Sequence, residues 1–430
     1  MMLSLLVALA ATPRPPHELY DYLAKPDNSY SYQVTNVSGT RTEIKMVSQT
    51  WHGVRWSHTL LLEQPKKVKY PHVAVLYITG DGPFAGDLLD LSLFSQATGM
   101  TVGMLFDIPN QPIDGRREDD LIAHTFEEYL KQPDPTLPLL FPMVKSAIRA
   151  MDTVQKVTRH ARNPISKFVV TGASKRGWTT WLVGASRDRR VKAIAPMVID
   201  TLNIPKQMKH QLETWGQYSE QIKDYTRRGL QSQLETPRGH DLGILIDPYS
   251  YRRNIRMPTL IVKGSNDPYW AVDALDNYYG NLLEPRWILN VPNAGHTLGD
   301  GVMAITSIGA FAQSVAGAFP MPQIRWDFSE QQGVAQLAVT SIDPPMQRLT
   351  LWAATSDSLD FRKSKYEPVN VVHTSSGMSG ADPESKERVT AYFRLPGDKN
   401  VAMFGEMRYA VDGHVFSLST PTRVYKRESK

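Results

Sequence analysis

The chain contains no cysteine in its 430 residues. That excludes disulfide bridges, thiolate catalysis and cysteine-ligated metal sites. It has no apolar run long enough to span a bilayer, so no stable membrane span is expected. Charge of one sign is scarce: the net charge is +5, with 21% charged residues, and no basic stripe is interleaved with aromatics. A nucleic-acid partner is therefore not expected. Neither CxxC nor His-x-x-x-His occurs, and the acidic pairs have no histidine at ligand spacing, so no metal site is expected. There is no Walker A motif and no G-x-G-x-x-G opening a helix after a strand, so no cofactor is expected. Internal repeats and low-complexity tracts are also missing. What remains is globular: hydrophobic residues make up 41%, and the length exceeds that of one typical domain.

The most informative stretch is Phe168-Val169-Val170-Thr171-Gly172-Ala173-Ser174-Lys175-Arg176-Gly177-Trp178. A β-branched run ends in small residues around a serine, and a helix-like segment follows from Trp178 to Ala185. This is the layout of a nucleophile elbow, in which a strained strand-to-helix turn lifts one side chain above a sheet. The usual spacing is G-x-S-x-G; here Arg176 stands where that glycine would be, and Gly177 comes one residue later. Two further strand-like runs follow. Met257–Gly264 leads into Ser265-Asn266-Asp267, and Arg286–Val291 leads into Asn293-Ala294-Gly295-His296. Serine, acid and histidine, in that order and each past the end of a parallel strand, is the arrangement of an α/β-hydrolase.

The expected fold class is α/β: a doubly wound, mostly parallel hydrolase sheet with a cap insertion, plus a C-terminal β-sandwich domain. Residues 1–15 form a candidate signal peptide, with an apolar run from Met1 to Ala11 and an A-x-A-like exit at Ala8-Leu9-Ala10. Residues 16–320 form the hydrolase domain, with the cap at about 201–255, and residues 321–430 form the sandwich. Ser31–Leu62 alternates as antiparallel edge strands, and Val73–Ile78 reads as a central strand buried on both faces. Asp87–Gln96 and Arg116–Lys131 read as helices, the second with a solvated acidic face. Pro133–Pro142 is a break before a long helix over Met143–Ala161. Aromatics of the cap, Trp215, Tyr218, Tyr225, Tyr249 and Tyr251, either line a cleft or pack the cap itself. Beyond Met321-Pro322, short alternating runs separated by turn signals at Asp343-Pro344-Pro345, Pro396-Gly397-Asp398 and Asp412-Gly413 predict the sandwich.

A serine hydroxyl needs a base in reach, and the base needs an orienting acid. Ser174 would attack a carbonyl, His296 would shuttle the proton, and Asp267 would hold the imidazole. Asp200 and Asp273 compete for the third role. The backbone N–H of Lys175 would stabilise the oxyanion at the start of the elbow helix. The glycine-rich loop Thr79-Gly80-Asp81-Gly82-Pro83 offers a second donor from Gly80, Asp81 or Gly82, or is a plain turn. Arg176, Trp178 and Trp270 are candidate substrate-binding residues. The cations of Lys175 and Arg176 bind an anionic substrate group or are held in structural salt bridges.

Several long stretches, Arg117–Thr125, Phe141–Asp152, Thr171–Thr179, Gly264–Trp270 and Val291–His296, resemble the PhoPQ-activated pathogenicity-related proteins. The resemblance runs from about Glu18 into the C-terminal β region. It implies an α/β-hydrolase-like fold, export in many members, and signalling or virulence associations in some relatives. The elbow also resembles, locally, the G-C-S-R-x-G motif of glucuronoyl esterases, which keeps carbohydrate esters among the substrate classes. The combined expectation is a periplasmic or secreted serine hydrolase acting on a small-molecule or peptide substrate through a peptide or ester bond. A non-catalytic secreted binding or signalling protein on the same scaffold is the alternative. Substrate identity and oligomeric state have no signature in the sequence.

Overall fold

In a computed structural model, residues 15–161, 164–373 and 388–427 are described. The candidate signal peptide lies almost wholly outside them. A short helix α1 (Glu18–Ala24) precedes three antiparallel strands, β1 (Ser31–Ser38), β2 (Arg41–Trp51) and β3 (Val54–Glu63). They turn at Gly39 and at His52-Gly53, where positive φ values explain the glycines. β1 is exposed along its whole length and forms one edge of the sheet.

Then the βα rhythm begins: β4 (Val73–Ile78), α2 (Ala85–Thr98), β5 (Thr101–Leu105), α3 (Glu118–Lys131), α4 (Leu140–Thr158), β6 (Lys167–Ala173), α5 (Lys175–Ala185) and β7 (Val191–Met197). The inserted segment carries α6 (Ile204–Trp215), α7 (Lys223–Thr226), α8 (Leu230–Gln233) and α9 (Pro237–Ile246). β8 (Thr259–Gly264), β9 (Arg286–Val291) and α10 (Val302–Val315) complete the run. The strand order β5-β4-β6-β7-β8-β9 is parallel throughout, and β3 joins β5 antiparallel. These strands read as apolar runs because helices cover both faces; β5 is buried at every position. α4 begins at Leu140, ahead of the expected start, because Pro142 sits in the first turn, where its missing N–H costs nothing.

The chain leaves β4 toward β5 and leaves β6 toward β7, in opposite directions. The crevice between the C-terminal ends of β4 and β6 is therefore the switch point at which ligands bind in open α/β sheets. Loop 79–84 and the turn carrying Ser174 both lie there.

The C-terminal strands are β10 (Gln323–Gln331), β11 (Val334–Ile342), β12 (Arg348–Ser356), β13 (Glu367–His373), β14 (Arg388–Arg394), β15 (Asn400–Val411), β16 (His414–Ser419) and β17 (Arg423–Tyr425). They form two layers, as a sandwich requires. The two layers are not a detached pair, however. β10, β11 and β14 make a separate sheet, whereas β16, β15, β12 and β13 continue the main sheet, joined through Ser419 opposite Ile288 of β9. The ladder thus crosses the boundary expected at 320/321. Leu337, Val339 and Ala391 of the small sheet and Leu349, Leu351 and Met403 of the large one share a core. The layers approach closely at Gly405, where a Cβ would stand 2.5 Å from Leu337 Cδ2.

Candidate functional site

Ser174 caps α5 with φ 57° and ψ −129°, a conformation few non-glycine residues adopt. Its neighbours explain the motif. A Cβ at Gly172 would stand 2.8 Å from the carbonyl oxygen of Arg176. One at Gly177 would stand 2.7 Å from the Met197 carbonyl and 2.6 Å from Ile199 Cγ2. The displaced glycine thus allows α5 to cross the end of β7. The position that usually holds glycine instead sends Arg176 over loop 79–84: its Nη2 stands 2.5 Å from where a Gly80 Cβ would be.

Arg176 is fully engaged. It donates to Glu118 through Nη1 (2.8 Å) and Nη2 (2.7 Å) and to the Ile108 carbonyl through Nε. Lys175 Nζ lies between Glu118 (2.9 Å) and Asp119 (3.0 Å). Two cations meet two carboxylates, so neither is free for an anionic substrate, and the expected substrate-binding role of Arg176 is not what the geometry gives. The acidic end of α3 is correspondingly not a solvated face. Burial acts to raise the Glu118 carboxyl, but hydrogen bonds and charge from Arg176, then Lys175, reverse this and hold it at about 2. The signal for Glu118 and Asp119 was present in the Arg117–Thr125 stretch; what was not legible was their partner.

The acid and histidine loops are locked together. Gly264 ends β8 where a Cβ would stand 2.3 Å from the Ala294 carbonyl oxygen. Asn266 N–H donates to that same carbonyl, and Asn293 N–H donates to Ser265 Oγ. His296 Nδ1 then lies 3.0 and 3.1 Å from the two oxygens of Asp267, which is buried and also accepts from the Tyr269 N–H. Tyr269 stacks on the imidazole at 4.1 Å. His296 Nε2 is buried and makes no hydrogen bond. The competing acids face elsewhere: Asp200 accepts from Lys263 Nζ (2.8 Å) and Tyr278 OH (2.6 Å), and Asp273 pairs with His210 (2.6 Å).

Ser174 and His296 open on one cavity of about 100 Å³, which Lys175, Trp178 and Trp270 also line. No hydrogen bond links Ser174 to His296, and apo catalytic bonds are often longer than those of the working complex. Trp178 donates through Nε1 to the Ile246 carbonyl of the cap (2.7 Å) and packs edge-on against Phe126. Of the cap aromatics, Tyr225 reaches this cavity, with its hydroxyl on Asp119; Tyr218 lines a neighbouring hollow. Trp215, Tyr249 and Tyr251 are outside the lining, Trp215 lying under Arg362 at 4.0 Å.

Loop 79–84 is not in the lining. Gly82 lies against Phe106, with a Cβ there 2.5 Å from the Phe106 ring. Asp81 spends its side chain on Arg117 (2.7 Å) and Gln111 (2.9 Å). The α5 N-terminus, with Lys175 first, presents N–H groups and the positive end of the helix dipole at the serine.

Sequence reasoning missed the contribution of segment 361–366. Asn266 Nδ2 donates to the Ser364 carbonyl (2.7 Å), and Asn293 makes two bonds to the backbone of Tyr366, 2.9 and 2.7 Å. Among the described residues, no group of three or more histidine, cysteine or acidic side chains could hold a metal ion. No described helix is long and apolar enough to cross a membrane.

The profile of the PhoPQ-activated pathogenicity-related protein family matches residues 19–362. Autocrine proliferation repressor protein A of Dictyostelium discoideum is 32% identical over 398 residues, covering 84% of this chain and 78% of that protein. Among solved structures, acetyl xylan esterase 1 from a Thermoanaerobacterium species is 15% identical, covering 71% of this chain and 95% of its own, with a TM-score of 0.49. An acetyl xylan esterase from a Paenibacillus species is 16% identical, covering 65% and 85%, with a TM-score of 0.45.

Proposed function

The chain belongs to the PhoPQ-activated pathogenicity-related protein family, and from that footing we propose that it is a serine hydrolase cleaving an ester or peptide bond through Ser174, His296 and Asp267. One observation carries this reading. A strained elbow serine shares a cavity with a histidine whose Nδ1 is held by a buried carboxylate and whose Nε2 is unpartnered. Nε2 is the atom that would accept the serine proton. In the reaction, Ser174 Oγ bonds to the carbonyl carbon as its proton moves to Nε2. The tetrahedral oxyanion is stabilised by the Lys175 N–H. The C–O or C–N bond to the leaving group then breaks as Nε2 returns the proton to it, and water reverses the sequence to free the acid. The Asp267 carboxylate stabilises the imidazolium that forms.

Export to the periplasm or the medium belongs to the same proposal and rests on the apolar N-terminal run. A signalling or binding role without catalysis is the second reading. The name of the Dictyostelium relative, a repressor of proliferation, favours it. A fluorophosphonate probe separates the two. The hydrolase reading expects labelling of the wild type that is lost in Ser174→Ala and strongly slowed in His296→Ala. Folded wild type that resists the probe would leave the binding role.

A further inference from the structure

We propose that the cavity beside Ser174 is an acyl pocket for an uncharged hydrocarbon chain, so that the substrate is an ester of a neutral acid of about four to six carbons. This rests on the serine hydrolase reading and adds the substrate class to it. The walls are Trp178, Met208, Ile222, Leu242, Ile246 and Trp270, all buried. Apart from Ser174, His296 and the engaged charges, the lining offers few polar atoms, among them those of Thr201 and Gln231 and the unpartnered Nε1 of Trp270. Buried apolar walls disfavour a polar occupant whose hydration so few groups would replace. The two charges in the lining are already neutralised: Lys175 Nζ is held by Glu118 and Asp119, and Asp119 also accepts from Tyr225. A carboxylate or ammonium on the substrate would find no partner there.

Size follows from volume. An apolar cavity of ~150 Å³ accommodates the six carbons of benzene. At that ratio, 100 Å³ accommodates about four carbons, and the flexible side chain of Met208 can yield a little more. The pocket fits the acyl half rather than the alcohol half for a chemical reason. The acyl group remains bonded to Ser174 Oγ between the two steps, whereas the alcohol must leave, and a pocket walled by buried side chains beside the serine suits the half that stays.

The test is a series of p-nitrophenyl esters from acetate to decanoate, run beside alkyl acetates of increasing alcohol length and beside fluorophosphonate labelling. Burying a methylene multiplies kcat/KM by roughly four. Butyrate is therefore expected to exceed acetate by roughly ten- to twentyfold, with a decline beyond hexanoate. Two lining substitutions should move the optimum in opposite directions. Met208→Ala removes three heavy atoms and should shift it toward longer chains. Leu242→Phe fills space and should shift it toward acetate. Thermal melts confirm that each variant is folded, and opposite shifts cannot come from a general loss of stability. Labelled wild type with a flat or acetate-first profile would overturn the proposal, as would dependence on the alcohol chain alone. So would folded variants whose optima both stay in place. Absence of labelling would overturn the hydrolase reading, and the pocket assignment with it.

Discussion

Asp267→Asn and Asp200→Asn are the same chemical change at two acids that follow core strands, and the structure assigns them opposite consequences. Asp200 is buried against Lys263, each side chain about 4% exposed. Replacing its carboxylate leaves an ammonium in the interior with only the Val272 carbonyl as a further partner. Breaking such a buried pair costs about 3–5 kcal/mol, a large share of the roughly 5–15 kcal/mol that holds a domain together. Asp200→Asn is therefore expected to lower Tm markedly, while molecules that remain folded keep an intact Ser174–His296–Asp267 arrangement. Asp267 carries its load on the imidazole. An amide in its place can donate to Nδ1, which favours the tautomer with its proton on Nε2, the atom that must accept the serine proton. In proteases with the same arrangement, this substitution lowers kcat by roughly 10⁴. The expected result for Asp267→Asn is a loss of about 10³–10⁴ in ester hydrolysis and in the rate of fluorophosphonate labelling, with a small change in Tm. The assay pairs a melt with both rates on each variant. Asp267→Asn retaining more than a tenth of the wild-type rate would refute the reasoning. So would Asp200→Asn losing its rate at unchanged Tm.

Ser174→Gly should abolish labelling yet stabilise the fold, because relief of about 1–3 kcal/mol of backbone strain exceeds the roughly 0.5–1 kcal/mol entropic penalty of glycine; a fall in Tm would contradict the strain assignment. Glu118 should shape acid stability. Its folded pKa of about 2 lies below its ordinary value of 4.5, so its contribution is fully present above pH 4.5 and is lost as pH falls toward 2. Glu118→Gln should flatten that part of the urea-stability profile, and an unchanged slope would sink the idea. Asn293→Ala removes both bonds to the Tyr366 backbone at a residue with φ 57°. It should cost about 2–3 kcal/mol and slow labelling by displacing the histidine loop; a variant with wild-type labelling would separate that contact from the site.

What was legible in the sequence had a local cause. The parallel strands are apolar runs because both faces are covered, and the elbow, acid and histidine each follow such a run. The limits of legibility have physical causes too. Lys175 and Arg176 are visible as two cations beside a serine, but their partners come from α3, over fifty residues earlier, and a pattern along the chain does not give a pairing across it. The acidic face of α3 reads like any solvated helix until Glu118 and Asp119 meet those cations. Ile324, Trp326 and Phe328 alternate in β10 and mark it as a strand. The continuation of the main sheet into β16 rests on a single pair, Ser419 opposite Ile288, and leaves no periodicity to read.

That continuation gives the C-terminal strands a part in the site. The acid and histidine loops follow β8 and β9, and β9 is the strand on which β16 docks. The segment between β12 and β13 then returns to the other end of the same loops. Its backbone accepts from Asn266, one residue before the acid, and pairs twice with Asn293, three residues before the histidine. Arg362 in the same segment lies over Trp215 of the cap. One six-residue stretch thus touches both loops and the cap, while the serine is held independently by β6, α5 and the α3 carboxylates. Loops at strand ends lack the ladder bonds that fix strands, and their order must come from such side-chain bonds to backbone. A hydrolase core cut at residue 320 would keep all three candidate catalytic residues and the bonds between the acid and histidine loops, but lose the outer bonds that brace both loops against segment 361–366.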